Sequence, residues 1–373
     1  MRSVWIILAL VALLGCAGKG HEPSEIPKFK DEVTFVKGWK ESIGEAQSIN
    51  VDIRIAGDSV CSASHNKLVC FSGSDGKLIR QKEAKDHFSS ALVNNELSSY
   101  VVSNSGFLRA LNENFEGQWS VNINDEAISP PAVGSNGLYI RTVSGAIHAY
   151  SREDGKKLWE FSAPPAPLVL RAQAGILIGP DGNLVVGFPG GHLYKFDAIN
   201  GSVIWGEKVS TPAGDNELER VSDVVGTPLM VGDMVCAASY QGRVACYKYD
   251  SGELTWSSNV SAVGSLDANG DSIFVTTSTA EVKAFSLVTG RLTWAMDSLK
   301  YRGLTGPKVL PGFVFVGDFE GNVFALDETD GRIVGSFDGG GGRVTRIDLN
   351  AAGTIFVQTS SGNFSAHSIS SGK

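Results

Sequence analysis

Five cysteines, six histidines and a scatter of aspartates are the residues of this 373-residue chain that could do chemistry, and beyond Cys16 their spacing argues against most of it. Cys61, Cys70, Cys236 and Cys246 show no CxxC pair and no matching pair of histidines, so they do not form a zinc-type ligand set. His21, His65, His87, His148, His192 and His367 are scattered, most of them at or beside strand steps, and default to packing or surface roles. No G-x-S-x-G elbow and no HExxH helix occurs. Asp271, Asp318 and Asp338 are acidic, but turns select Asp for its side-chain hydrogen bonds to nearby main chain. The cysteines have a second reading. Cys70 and Cys246 occupy the same small-residue position in two repeats, and Cys61 and Cys236 lie on the strands before them. Each pair could face across one hairpin, giving two disulfides in an oxidising compartment or four buried thiols otherwise.

The elements that carry these residues repeat eight times. A short apolar strand meets a step of the form Gly-x-apolar-x-small-apolar, starting at Asn66, Gly106, Gly145, Gly191, Gly242, Ala280, Gly321 and Gly362, with spacings of 40, 39, 46, 51, 38, 41 and 41 residues. Four units show the full ending, a turn Gly followed four residues later by Trp: Gly155 and Trp159, Gly201 and Trp205, Gly252 and Trp256, Gly290 and Trp294. A period near 40 built from β-branched and aromatic strands predicts an all-β, eight-bladed β-propeller of four-stranded antiparallel blades. The eighth unit runs out at Lys373 without its Trp strand, whereas Trp39 stands one period before Arg80 with no Gly step in front of it. The strand near Trp39 therefore completes the eighth blade and closes the ring. Arg80 and Gly335 occupy the other slots that lack Trp.

The N-terminus addresses the chain. Residues 1–15 read as a signal peptide, with Arg2 before an apolar run too short to span a bilayer. Leu13-Leu14-Gly15-Cys16 resembles the bacterial lipobox, in which the Cys takes a diacylglycerol and further acyl chains such as palmitate. Ala17, where inner-membrane retention uses Asp, points to the periplasmic face of the outer membrane. Residues 16–34 read as a lipidated Cys and flexible tether, and residues 35–373 as the propeller. Without Arg2 the chain holds 31 basic and 40 acidic residues, a net charge of −9, and no basic block, which argues against nucleic acid.

Regularity breaks at 164–181 and 210–226, where the repeat lengthens. Loops carry function more often than strands. Leu168 and Leu170, alternating with Val169, could project together beside Arg171 as a docking patch near Asp223. Alternatively, the two leucines belong to a blade strand and Arg171 pairs internally with Asp223.

Lipobox, tether, eight blades and the segments Leu168-Val169-Leu170-Arg171 and Arg220-Val221-Ser222-Asp223-Val224 together resemble the BamB family of lipoproteins from the β-barrel assembly (BAM) machinery. The resemblance covers essentially the whole mature chain. It implies a non-catalytic scaffold with no cofactor, whose Leu168, Leu170, Arg171 and Asp223 bind the POTRA domains of BamA. It also implies other BAM lipoproteins as partners, and unfolded outer-membrane proteins as clients reached by strand addition. The chain departs from the family at Val225, where a second Asp is common, and at Ala172, where Gly is common. The rival resemblance is to quinoprotein dehydrogenases, which share the Gly-to-Trp ending. Their adjacent Cys-Cys pair is missing here. A third reading keeps the lipoprotein propeller but assigns it to another envelope complex.

Overall fold

Alternating apolar residues, interrupted every few positions by a Gly or Asx turn, leave each strand one choice, which is to pair with its neighbours in sequence. In this computed structural model, residues 21–45, 50–93, 98–163, 168–170, 174–216 and 218–370 are described. They form eight sheets in sequential order, each antiparallel and four-stranded in its propeller part. Blade 3 is typical, with strands Ala132–Val133, Leu138–Arg141, Ala146–Tyr150 and Lys157–Ser162 running from the inner edge to the outer. In blade 2, Asn50–Val51 adds a fifth, parallel strand beside Phe88–Leu92. A single 3-10 turn, Pro189–Gly191, is the helical element among the described residues, and no helix there is long and apolar enough to cross a membrane. Blade 8 pairs Thr34–Ser42 with Asn363–Ser370, with Trp39 opposite Ala366. The ring is therefore closed by the N-terminal strand.

The core lies between blades rather than within them. One apolar cluster joins Val225, Cys236 and Trp256 of blade 5 to Ile273, Val275 and Phe285 of blade 6. Trp256 shows how the seams are held. Its indole N–H donates to the Leu287 carbonyl of the next blade at 2.7 Å, and its ring lies over Gly290. Gly290 has φ of 66°, and a Cβ there would sit 2.4 Å from the Trp256 ring, so the turn demands Gly twice over. Trp39, Trp119, Trp159, Trp205 and Trp294 donate in the same way to carbonyls of Gly73, Arg152, Ala198, Tyr249 and Glu328.

Cys61 faces Cys70 and Cys236 faces Cys246 across antiparallel pairs, and each pair is joined, with S–S distances of 2.04 and 1.93 Å. All four are buried within the blades.

The expectation of a free tether needs correction from residue 21 onward. Ser24 N–H donates to Lys300 O at 2.9 Å, and the N–H groups of Glu32 and Val33 donate to Val334 O. A segment rich in Pro and charge lacks a packing signature, yet its main chain supplies donors and acceptors wherever a neighbouring loop offers complements. The signal peptide and Cys16 lie outside the described residues.

Candidate partner-docking site

Blades alternate direction strand by strand, so every link from an outer strand to the next inner strand falls on the same face of the ring. The two lengthened links, between blades 3 and 4 and between blades 4 and 5, are therefore neighbours on one face. Asp223 holds them together. It directly precedes Val224–Val231, the inner strand of blade 5, and is 3% exposed. One carboxylate oxygen accepts from Leu170 N–H at 2.6 Å, and the other accepts from Gly190 N–H at 3.1 Å. Burial pushes the Asp223 carboxyl above its ordinary range, opposed by those two main-chain donors and by the Arg141 charge.

Arg141 ends the second strand of blade 3 and is buried. Its Nη1 donates to Ala174 O at 3.2 Å, and its guanidinium lies 5.3 Å from the centre of the Phe188 ring. Burial pulls its pKa down to about 10, and Asp223 pushes it back up. Among the described residues Arg141 is thus a cation whose charge acts on Asp223. Arg171 lies outside the described residues, as do Ala172 and residues 164–167. A signal for Arg141 was present. In the other repeats, the residue four before the Gly step is Ser62, Val102, Gly187, Ala238, Thr276, Gly317 or Gln358, uncharged in every case.

Leu168, Val169 and Leu170 lie outside any strand, since the inner strand of blade 4 is Ile176–Ile178. The alternation expected of a strand therefore fails here. Leu168 and Val169 are exposed at 42% and 40%, while Leu170, whose N–H is held by Asp223, is half-buried. The second link is tied to itself. Glu219 accepts from Asp215 N–H at 2.8 Å and from Asn216 Nδ2 at 2.7 Å, and Arg220 Nε donates to Gly214 O at 3.1 Å. Gln241, its amide turned to satisfy both ends, donates to the carbonyls of Glu219 and Val221. Leu218 stands out from this link, 71% exposed. The result is a face with exposed aliphatic side chains at Leu168, Val169 and Leu218, the first two beside a main-chain N–H held by Asp223 and the third on a link hydrogen-bonded to itself. Such a face can bind another protein, because little order has to be created on binding. Among the described residues no cluster of His, Cys, Asp and Glu could hold a metal ion.

The family described as outer membrane protein assembly factor BamB matches residues 100–296 and 278–373 of this sequence. The chain belongs to the BamB family. BamB of Bordetella pertussis is 28% identical to it over 369 residues, covering 97% of this chain and 95% of that protein. BamB of Burkholderia pseudomallei is 27% identical over 357 residues, covering 95% and 94%. The crystal structure of BamB from Moraxella catarrhalis superposes with a TM-score of 0.82 at 22% identity, over 90% of this chain and all of that one. A quinohemoprotein alcohol dehydrogenase from Comamonas testosteroni shares the propeller with a TM-score of 0.68 at 11% identity, over 91% of this chain and 77% of that one. At that identity the likeness concerns the fold alone.

Proposed function

We propose that this chain is a non-catalytic scaffold in outer-membrane protein assembly, tethered through lipid on Cys16 to the periplasmic face of the outer membrane. Its membership of the BamB family supports the assembly role. The exposed Leu168 and Val169, on a loop pinned through Leu170 by the buried Asp223, are the observation that carries the docking reading. In this reading the loop around Leu168, Leu170 and Arg171 docks a POTRA domain of BamA. The aliphatic side chains supply desolvated contact and Arg171 a directed polar one. Asp223 contributes from beneath by fixing the loop, because a residue so buried has little surface to offer a partner. Other BAM lipoproteins and unfolded outer-membrane proteins would meet the remaining surface of the ring.

Co-purification decides this. Arg171→Glu combined with Leu170→Ala is expected to abolish recovery of BamA while leaving the circular dichroism and melting of the propeller unchanged. Unchanged recovery of BamA would defeat the site assignment. The mass of the mature N-terminus tests the lipid separately, since an unmodified Cys16 would remove the anchor and leave the docking reading standing.

A further inference from the structure

The N-terminal segment is bound along the rim of blades 7 and 6 before it reaches Cys16. From the outer strand of blade 8, it passes Val334 of blade 7, where Glu32 and Val33 donate to the same carbonyl at 2.8 and 3.1 Å and Glu32 pairs with Arg332 at 2.7 Å. It ends on the link between blades 6 and 7. There Ser24 N–H donates to Lys300 O at 2.9 Å, and Ser24 Oγ donates to Ser298 O at 3.0 Å. Arg302, buried against Asp318 at 2.6 Å, turns Nη1 to the Ser24 carbonyl at 3.0 Å. His21 stacks on Tyr301 with ring centres 4.4 Å apart and planes within 6°.

The repeat itself makes room for this path. Gly335 stands where most blades carry Trp, and a Cβ there would lie 2.6 Å from Val33 O and 3.0 Å from the Phe35 ring. The place of the missing Trp of blade 7 is therefore shared by Val33 of the passing chain and by the Phe35 ring of the strand that closes blade 8.

We infer that residues 21–33 are a docked strap that shortens the membrane leash to the four residues between Cys16 and His21 and holds the blade 6–blade 7 corner beside the bilayer. This rests on the reading of Cys16 as lipidated. The five residue-to-residue steps from Cys16 to His21 reach about 18 Å when extended. The link that carries Tyr301 lies on the same face as Leu168, three blades further round a ring of eight. The partner-docking face is consequently the one tipped toward the lipid surface, with the opposite face turned to the periplasm.

The test uses the full-length lipidated protein in vesicles of phosphatidylethanolamine and phosphatidylglycerol carrying a headgroup acceptor dye. Donor dyes are placed singly at Ser278→Cys, on the strap's face of blade 6, and at Asp271→Cys, on its opposite face. Stronger energy transfer from position 278 than from 271 is expected, with Ser24 amide exchange slowed at least about tenfold relative to an unstructured peptide. Tyr301→Gly removes the stacked ring at a residue whose φ is 61°, where Gly is the easier fit, and Gly335→Trp fills the Trp slot but collides with Val33 and with the Phe35 ring. Both variants should keep the fold, release Ser24 exchange and erase the difference between the two dyes. Free exchange of Ser24 in the parent protein, or equal transfer from both positions, would overturn the inference. If the mature N-terminus carries no acyl chain and the protein ignores vesicles, the anchor reading fails, and Ser24 exchange still decides whether the strap exists.

Discussion

Removing the Asp223 carboxylate distinguishes a residue that fixes the docking loop from one that touches the partner. In Asp223→Ala, the N–H groups of Leu170 and Gly190 both lose their acceptor, and buried Arg141 loses the negative charge that favours its protonated form. A hydrogen bond to a charged group contributes about 1.5–3 kcal/mol, so the closed loop loses about 3–6 kcal/mol from the two bonds together. Asp223→Asn retains one carbonyl oxygen. The two donors sit on different carboxylate oxygens, so one bond survives and about half of that loss is expected. Amide exchange at Leu170 reads the loop directly. A loss of 1.4 kcal/mol speeds exchange about tenfold, so Asn should accelerate it by roughly ten- to a hundredfold and Ala by more, while amides in the strands of blade 7 stay unchanged. Affinity for a POTRA fragment should fall in the same order, because Leu168 and Val169 then have to be ordered at the moment of binding. If Leu170 exchange were unaltered in both variants while affinity fell equally, Asp223 would be a contact and the clamp would be refuted.

Trp256→Ala removes a buried ring and its bond to Leu287 O, and should cost about 3–5 kcal/mol, read as a lowered urea midpoint. Replacing Cys61 and Cys70 together by Ala should cost about 2–3 kcal/mol by the loop-closure account, and mass spectrometry without reduction should find no free thiol at 61, 70, 236 or 246 in the parent protein. His367 is buried beside Phe337 and bonded to Ser365 at 2.9 Å, and burial, reinforced by Lys37 and Lys40, brings its pKa down to about 4. The unfolded imidazole gains its proton near pH 6.5 and the folded one only near 4, so its contribution is full above pH 6.5. It declines by about 3 kcal/mol as the pH falls to 4. His367→Gln should flatten that part of the urea-midpoint profile, and an unchanged slope would show that the site titrates normally.

What the residues disclosed follows from how many times each physical task recurs. The Trp of one blade rests on a left-handed Gly of the next, so the pair is written into seam after seam and the period announces the propeller. Trp39 could be assigned to the last blade because it lacked its own Gly step. Single-copy tasks have no such redundancy. The path of residues 21–33 rests on main-chain hydrogen bonds, which any residue but Pro can donate, and on side-chain contacts that occur once each, such as His21 on Tyr301. Residues 168–170 carry a strand's alternation without forming one, because three aliphatic residues in a row show the same pattern whether or not they pair. Yet the exceptions to the repeat are informative once the structure supplies their partners. Arg141 stands at a strand position that holds uncharged residues elsewhere, and it marks the Asp223 clamp. Gly335 marks the strap. Arg80 fills the Trp slot of blade 1, and the residue opposite, four before Trp119 where the other turns use Gly, is Phe115 with φ of 59°. The guanidinium lies 5.4 Å from the centre of that ring. Neither substitution works alone. Trp at 80 would meet a phenyl ring where it needs a flat turn, and Gly at 115 would leave the guanidinium without its aromatic face. A repeat that changes both members of a seam pair together is conserving the seam, and the seam between blades 7 and 8 does the same, with Gly335 against Phe35, the residue four before Trp39, whose ring would lie 3.0 Å from a Cβ at 335.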